Sequence, residues 1–182
     1  MALAPLVLPK ALSGIGEKLT RAVREVEIVG AWPEEKPAFL SAPQPEAIVK
    51  ALIPVLHQHL LRPREASIVC LFREEMARRG RVRLGVAAKA SSKITYLTGH
   101  DFSLEFNWTY WTKLSAPQRI ALVDHELSHC GVNDKGNWVM IPHDVEEFAS
   151  IVERWGLWTP DLVQFNTAIK AIQTDLFAPA AD

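Results

Sequence analysis

The stretch from Ser115 to Gly131, SAPQRIALVDHELSHCG, commits the middle of the chain to one helix with two unlike faces. Ser115 supplies a cap, Pro117 fits the first turn, and Gln118 stands three residues after the cap, as in a capping box. Gly131 reads as the stop. The spacing therefore predicts a helix from about Ala116 to Cys130. Ile120, Val123, Leu127 and Cys130 form one apolar stripe along it. His125 and His129 fall on the opposite side, so one face can pack while the other presents ligands.

His125, Glu126 and His129 make an H-E-x-x-H pattern. Four helical residues bring two imidazoles to within about 40° of azimuth and one turn of height, so both can bind one tetrahedral metal ion from the same side. Glu126 sits about 100° round from His125, close enough to reach a water at that metal without ligating it. A catalytic zinc keeps three protein ligands and one open position, so a third ligand must come from elsewhere. The metzincin extension fails, because Val132 and Lys135 occupy the positions of its glycine and histidine. His143 is the favoured candidate, and Asp144, Glu146 and Glu147 are the acidic alternatives. Asp144 or Glu147 is better suited to orienting a histidine than to replacing one. Tyr110, His100 and Tyr96 are candidates to donate to an oxyanion. His57 and His59, two residues apart, read as surface or packing histidines. Cys70 and Cys130 read as buried.

The remaining segments surround this helix. Gly14, Gly16, Pro33, Pro37, Pro43 and Pro45 punctuate residues 1–45, which read as a poorly organised arm or linker with one short amphipathic helix around Glu17–Glu27. Apolar residues at helical spacing run from Glu46 to Leu61, with Pro54 positioned to kink or restart the helix. Ala66–Phe72, Arg81–Lys89 and Lys93–Leu97 read as strands. Phe102, Leu104 and Phe106 alternate with polar residues, which suggests a half-buried strand, taken as an edge that could pair with substrate. Helices are expected over His143–Trp155 and from Pro160 to about Phe177. The domain is placed at residues 46–158, with 159–182 as a C-terminal helix and tail.

Composition limits the partners. The 182 residues are 48% hydrophobic and carry a formal net charge of −1, so no general basic excess exists to neutralise nucleic-acid phosphates. A local crowd of arginines from Arg62 to Arg83 reads as a solvated face and a turn. Two cysteines make no disulfide framework, which points to a reducing compartment. The apolar N-terminus lacks a basic region and is broken by Pro5 and Pro9, so it reads as neither a signal peptide nor a membrane span.

Four blocks in order, GRVRLGVAAKAS (Gly80–Ser91), LTGHDFSLEFN (Leu97–Asn107), LSAPQRIALVDHELSHC (Leu114–Cys130) and HDVEEFASIVERWGLW (His143–Trp158), resemble the phage metallopeptidase family of bacteriophages and prophages. The layout is also similar to SprT/Spartan-like proteases, although the spacing in HDVEEF differs from their pattern. The resemblance implies an α+β fold: a small zincin-like domain with a mixed or antiparallel sheet, an edge strand beside the active-site helix, and flanking helices. It also implies bound zinc, with His125, His129 and His143 as ligands and Glu126 as base. The expected function is zinc-dependent hydrolysis of peptide or protein substrates through a metal-bound water, in the cytoplasm of a bacterial host. The alternative is a catalytically silent, zinc-stabilised accessory or host-interaction protein.

Overall fold

The computed structural model describes residues 8–28, 30–146, 152 and 154–176. The chain divides into two units, Met1–Ile141 and Pro142–Asp182. The first unit contains, in order, a 3-10 turn (Lys10–Ile15), α1 (Gly16–Arg24), β1 (Leu40–Ser41), α2 (Pro43–Leu56), a second 3-10 turn (Gln58–Leu61), β2 (Ile68–Arg73), β3 (Ala77–Arg78), β4 (Arg81–Val82) and β5 (Gly85–Lys89). It continues with α3 (Ser92–Thr98), β6 (Phe102–Asn107), α4 (Trp108–Trp111), α5 (Ala116–Ser128), β7 (Cys130–Val132) and β8 (Trp138–Met140). In the second unit, α6 spans Pro160–Leu176.

The main sheet has the order β1-β2-β6-β5. β2 and β6 run parallel, with Ile68 opposite Phe102 and Phe72 opposite Phe106. β5 runs antiparallel to β6, with Gly85 opposite Phe106 and Lys89 opposite Phe102. Phe102, Leu104 and Phe106 are fully buried in the core that the sheet shares with α1, α2 and α5. Burying each of these side chains contributes about 1.5–3 kcal/mol. Ser103 and Glu105 look the other way and stay partly accessible. β3 and β4 form a separate hairpin whose turn residues, Arg79 and Gly80, both have positive φ, as a two-residue primed turn requires. β7 and β8 form a second hairpin directly after α5.

Several expectations change. Phe102–Asn107 is an interior strand, hydrogen-bonded on both sides, and β5 is the edge. Alternation reports only that one face is buried, and an interior strand covered on one face has the same pattern as an edge. Lys93–Leu97 is helical: Ser91 accepts from the Ile94 N–H as an N-cap, and Gly99 closes the helix at φ 76°. The segment read as an arm places Leu12, Ile15, Leu19, Ala22 and Val23 in the core. Pro54 lies inside α2, which ends two residues later and gives way to the 3-10 turn. Of the helix expected over His143–Trp155, residues 143–146 are not helical, and residues 147–151 and 153 lie outside the described residues.

Gln44 joins the helical layer. Its side chain is 1% exposed. The amide nitrogen donates to the Val23 and Val26 carbonyls at 3.0 and 3.1 Å. The amide oxygen accepts from Trp111 Nε1 at 3.0 Å and from the Arg119 guanidinium at 3.1 Å. Every hydrogen-bonding site of the amide is therefore used. Gln44→Leu strands two carbonyls and two N–H donors and is expected to cost about 3 kcal/mol or more. The effect should appear as a lower urea midpoint at unchanged slope. A loss under about 0.5 kcal/mol, the level of an ordinary surface substitution, contradicts this account.

Candidate metal centre

α5 carries the motif as its sequence dictates. Ser115 and Gln118 form the reciprocal capping box, and Ile120, Val123 and Leu127 turn into the core. His125 and His129 face outward, with ring centroids 5.1 Å apart and planes nearly perpendicular. Glu126, between them in sequence, is only 4% exposed.

Three contacts hold the helix from behind. Buried His57 meets Asp124 at 2.7 Å through Nε2. His59 Nε2 donates to the Cys130 carbonyl at 2.8 Å. Arg119 donates to the Trp111 carbonyl at 3.0 Å as well as to Gln44. His57 and His59 thus hold the site helix in place, a role that their two-residue spacing does not signal. Burial pushes the Cys130 thiol up to about 12, and its Sγ–H donates to the Glu126 carbonyl, so it packs as a neutral group. The Cys70 thiol is pushed to about 12 for the same reason.

The orientation of His129 is set by a reciprocal pair with Ile141. The Ile141 N–H donates to the His129 carbonyl at 2.8 Å. His129 Nδ1 lies 2.7 Å from the Ile141 carbonyl oxygen. A carbonyl only accepts, so Nδ1 carries the proton and Nε2 presents its lone pair. An imidazole whose Nδ1–H is held by a carbonyl in this way has its other nitrogen aimed and ready for a metal. The donor set therefore fits a metal ion on an observation independent of the motif.

Two glycines make this arrangement possible. A Cβ on Gly131 would run into the Ile141 side chain, with the nearest atoms at 2.6 and 2.7 Å. Gly131 is thus not a left-handed helix stop, as its position after Cys130 suggested. It lies in β7, opposite Val139, and lets Ile141 cross close above it. Gly85, the first residue of edge strand β5, faces the Glu126 carboxylate so closely that a Cβ there would collide with it. An edge strand does lie beside α5, and it is Gly85–Lys89.

The other expected site residues are dispersed. His143 belongs to the second unit, and two residues of chain keep its Cα within about 7 Å of Ile141 Cα. Its Nδ1 lies 3.5 Å from Glu146. Asp144 is exposed, and Glu147 lies outside the described residues. Tyr110 is on α4, at the Gly85 end of the sheet, with Lys113 over its ring at 5.4 Å. His100 precedes β6 at the opposite, Lys89 end and bonds to Ser67 Oγ at 3.0 Å, so it is not brought to Glu126. Tyr96 is 89% exposed on α3, also towards the Lys89 end.

Residues 38–173 match the model of a family described as "Putative phage metallopeptidase". The match extends further in both directions than the four blocks in the sequence. No curated protein and no solved structure matches the chain.

Two substitutions test the geometry. Gly131→Ala should displace Ile141 and weaken metal binding by about 10- to 100-fold, measured by competition with a chromophoric chelator; unchanged affinity contradicts the Ile141 assignment. Gly85→Ala should lower stability by about 1–3 kcal/mol through the collision with Glu126. An unchanged denaturation midpoint contradicts that contact.

Proposed function

From its membership of the family described as "Putative phage metallopeptidase", to which the chain belongs, we propose that this protein is a zinc-dependent peptidase acting on peptide or protein substrates. The observation that carries this reading is a buried glutamate, set between two outward-facing histidines on one helix and pressed against the first residue of an edge strand.

An all-imidazole donor set suits a catalytic zinc, which keeps one position open, better than a structural zinc, whose closed site tends to be rich in cysteine. His125 and His129 are proposed as two ligands. His143 is proposed as the third, supported by the short chain between it and Ile141, whose carbonyl meets His129. When bound, zinc supplies Lewis acidity to the scissile carbonyl and lowers the pKa of a water towards neutrality. The remaining work falls to the chain's own groups. Glu126 accepts a proton from the attacking water and passes it to the leaving amine. The contact with Gly85 leaves its carboxylate little freedom, which keeps the proton acceptor at one position relative to the histidines. The Ile141 carbonyl keeps the His129 proton on Nδ1, so Nε2 remains a ligand. The free edge of β5 offers main-chain hydrogen bonds to an extended peptide, in the manner of strand addition. Tyr110 is the tyrosine at the Glu126 end of the sheet and is the proposed donor to the oxyanion.

Glu126→Gln is expected to keep stoichiometric zinc by elemental analysis and to lose about 100-fold or more of hydrolysis, the scale of a general base. His125→Ala and His129→Ala should lose the metal. A proteome-derived peptide library digested by wild type and by Glu126→Gln, read by mass spectrometry, makes the test. Equal cleavage by both proteins overturns the role of Glu126. Bound zinc with no cleavage by either protein favours the silent scaffold.

A further inference from the structure

The catalytic end of β5 is Gly85, against Glu126; its other end opens into a second site. A cavity of about 570 Å³ lies there, bounded by Lys89 at the end of the strand, Arg64, Asp101, Tyr96 and the Asn137-Trp138 stretch of the β7–β8 hairpin. Gly85 and Lys89 are four residues apart on a strand with a single partner, β6. At about 3.3 Å per residue, the cavity begins about 13 Å along the strand from the glutamate. A peptide paired with the free edge of β5, with the bond to be cut beside Glu126, reaches the cavity with its fourth or fifth residue from that bond.

The charge of the cavity is set by which of its ions neutralise each other. Arg64 grips Asp101 with two bonds, at 2.5 and 2.6 Å. The Ser67 N–H donates to the same carboxylate at 2.9 Å. Burial pushes the Asp101 carboxyl upward, but Arg64, the Ser67 N–H and Trp138 together outweigh it and hold the group below the usual carboxylate range. Arg64 and Asp101 therefore cancel at neutral pH. The Arg64 guanidinium also lies over the Trp138 ring at 5.6 Å, which fixes one wall. Lys89 is left: it is exposed, and no ion pair to it is recorded among the described residues. The cavity thus presents one uncompensated cation with polar and aromatic walls, which complements a carboxylate.

We infer that this cavity is a substrate subsite for an acidic side chain, Asp or Glu, four or five residues from the cleaved bond, with Lys89 as its specificity residue. The inference rests on the peptidase reading and deepens it. Strand pairing reads no side chains by itself, and a charged site one strand-length from the chemistry is a means of choosing among extended peptides.

The test is the same library digest with zinc-loaded wild type, Lys89→Glu and Glu126→Gln as the blank. Cuts by wild type should be enriched for Asp or Glu at the fourth or fifth position, on one side of the bond only. For a matched pair of peptides with Glu or Gln there, kcat/KM should favour Glu by about fivefold or more, the scale of a partly exposed ion pair at its upper end. Lys89→Glu should abolish that preference and turn it towards Lys and Arg. Cleavage without acidic enrichment at that distance, or an enrichment that Lys89→Glu leaves intact, overturns the subsite while the peptidase stands. No cleavage by wild type beyond the Glu126→Gln blank overturns the peptidase reading and the subsite with it.

Discussion

One buried amide ties the helical layer together. Gln44 bonds to the end of α1, to the ring of Trp111 on α4 and to Arg119 on α5, segments far apart in the chain. A buried amide is costly unless all its sites are used, and here they are, so the node is specific as well as stabilising. Its position decides where α5 can lie, and α5 carries the histidines. Arg119, two turns before the motif, thus transmits the placement of the N-terminal helix to the site.

The site itself is built from close approach more than from added bulk. Gly85 and Gly131 each stand where a methyl group would displace a neighbour, Glu126 in one case and Ile141 in the other. Both neighbours matter chemically: one is the proposed proton acceptor, and the other orients an imidazole. The two histidines are the visible part of the motif, but their usefulness depends on two residues that have no side chain.

What was legible in the sequence follows a physical divide. The capping box, the apolar stripe and the two-faced helix are local, so Ser115, Gln118, Ile120, Val123 and the histidines are legible directly; α5 starts at the expected residue and ends at Ser128, two residues short of Cys130. Pairing is not local. Phe102, Leu104 and Phe106 reveal a buried face but not the number of neighbours, so in sequence the interior strand has the same signature as an edge. In Lys93–Leu97 the β-branched and aromatic residues favour a strand locally, but the Ser91 cap and the Gly99 stop decide for a helix. The prolines and glycines of the first 45 residues suggested looseness, but Leu12, Ile15 and Leu19 have a core to enter. The role of Gly131 depends on a side chain ten residues on and has no signature in sequence.

The reciprocal bonds between His129 and Ile141 have a consequence for how such a protein can diversify. They close the β7–β8 hairpin at its base, so the tip from Asn133 to Asn137 hangs outside the closure. That tip lines the cavity at the Lys89 end. Insertions or exchanges there can remodel one wall of the cavity without altering the imidazole geometry. The hairpin tip and the imidazole geometry are therefore open to change independently of each other.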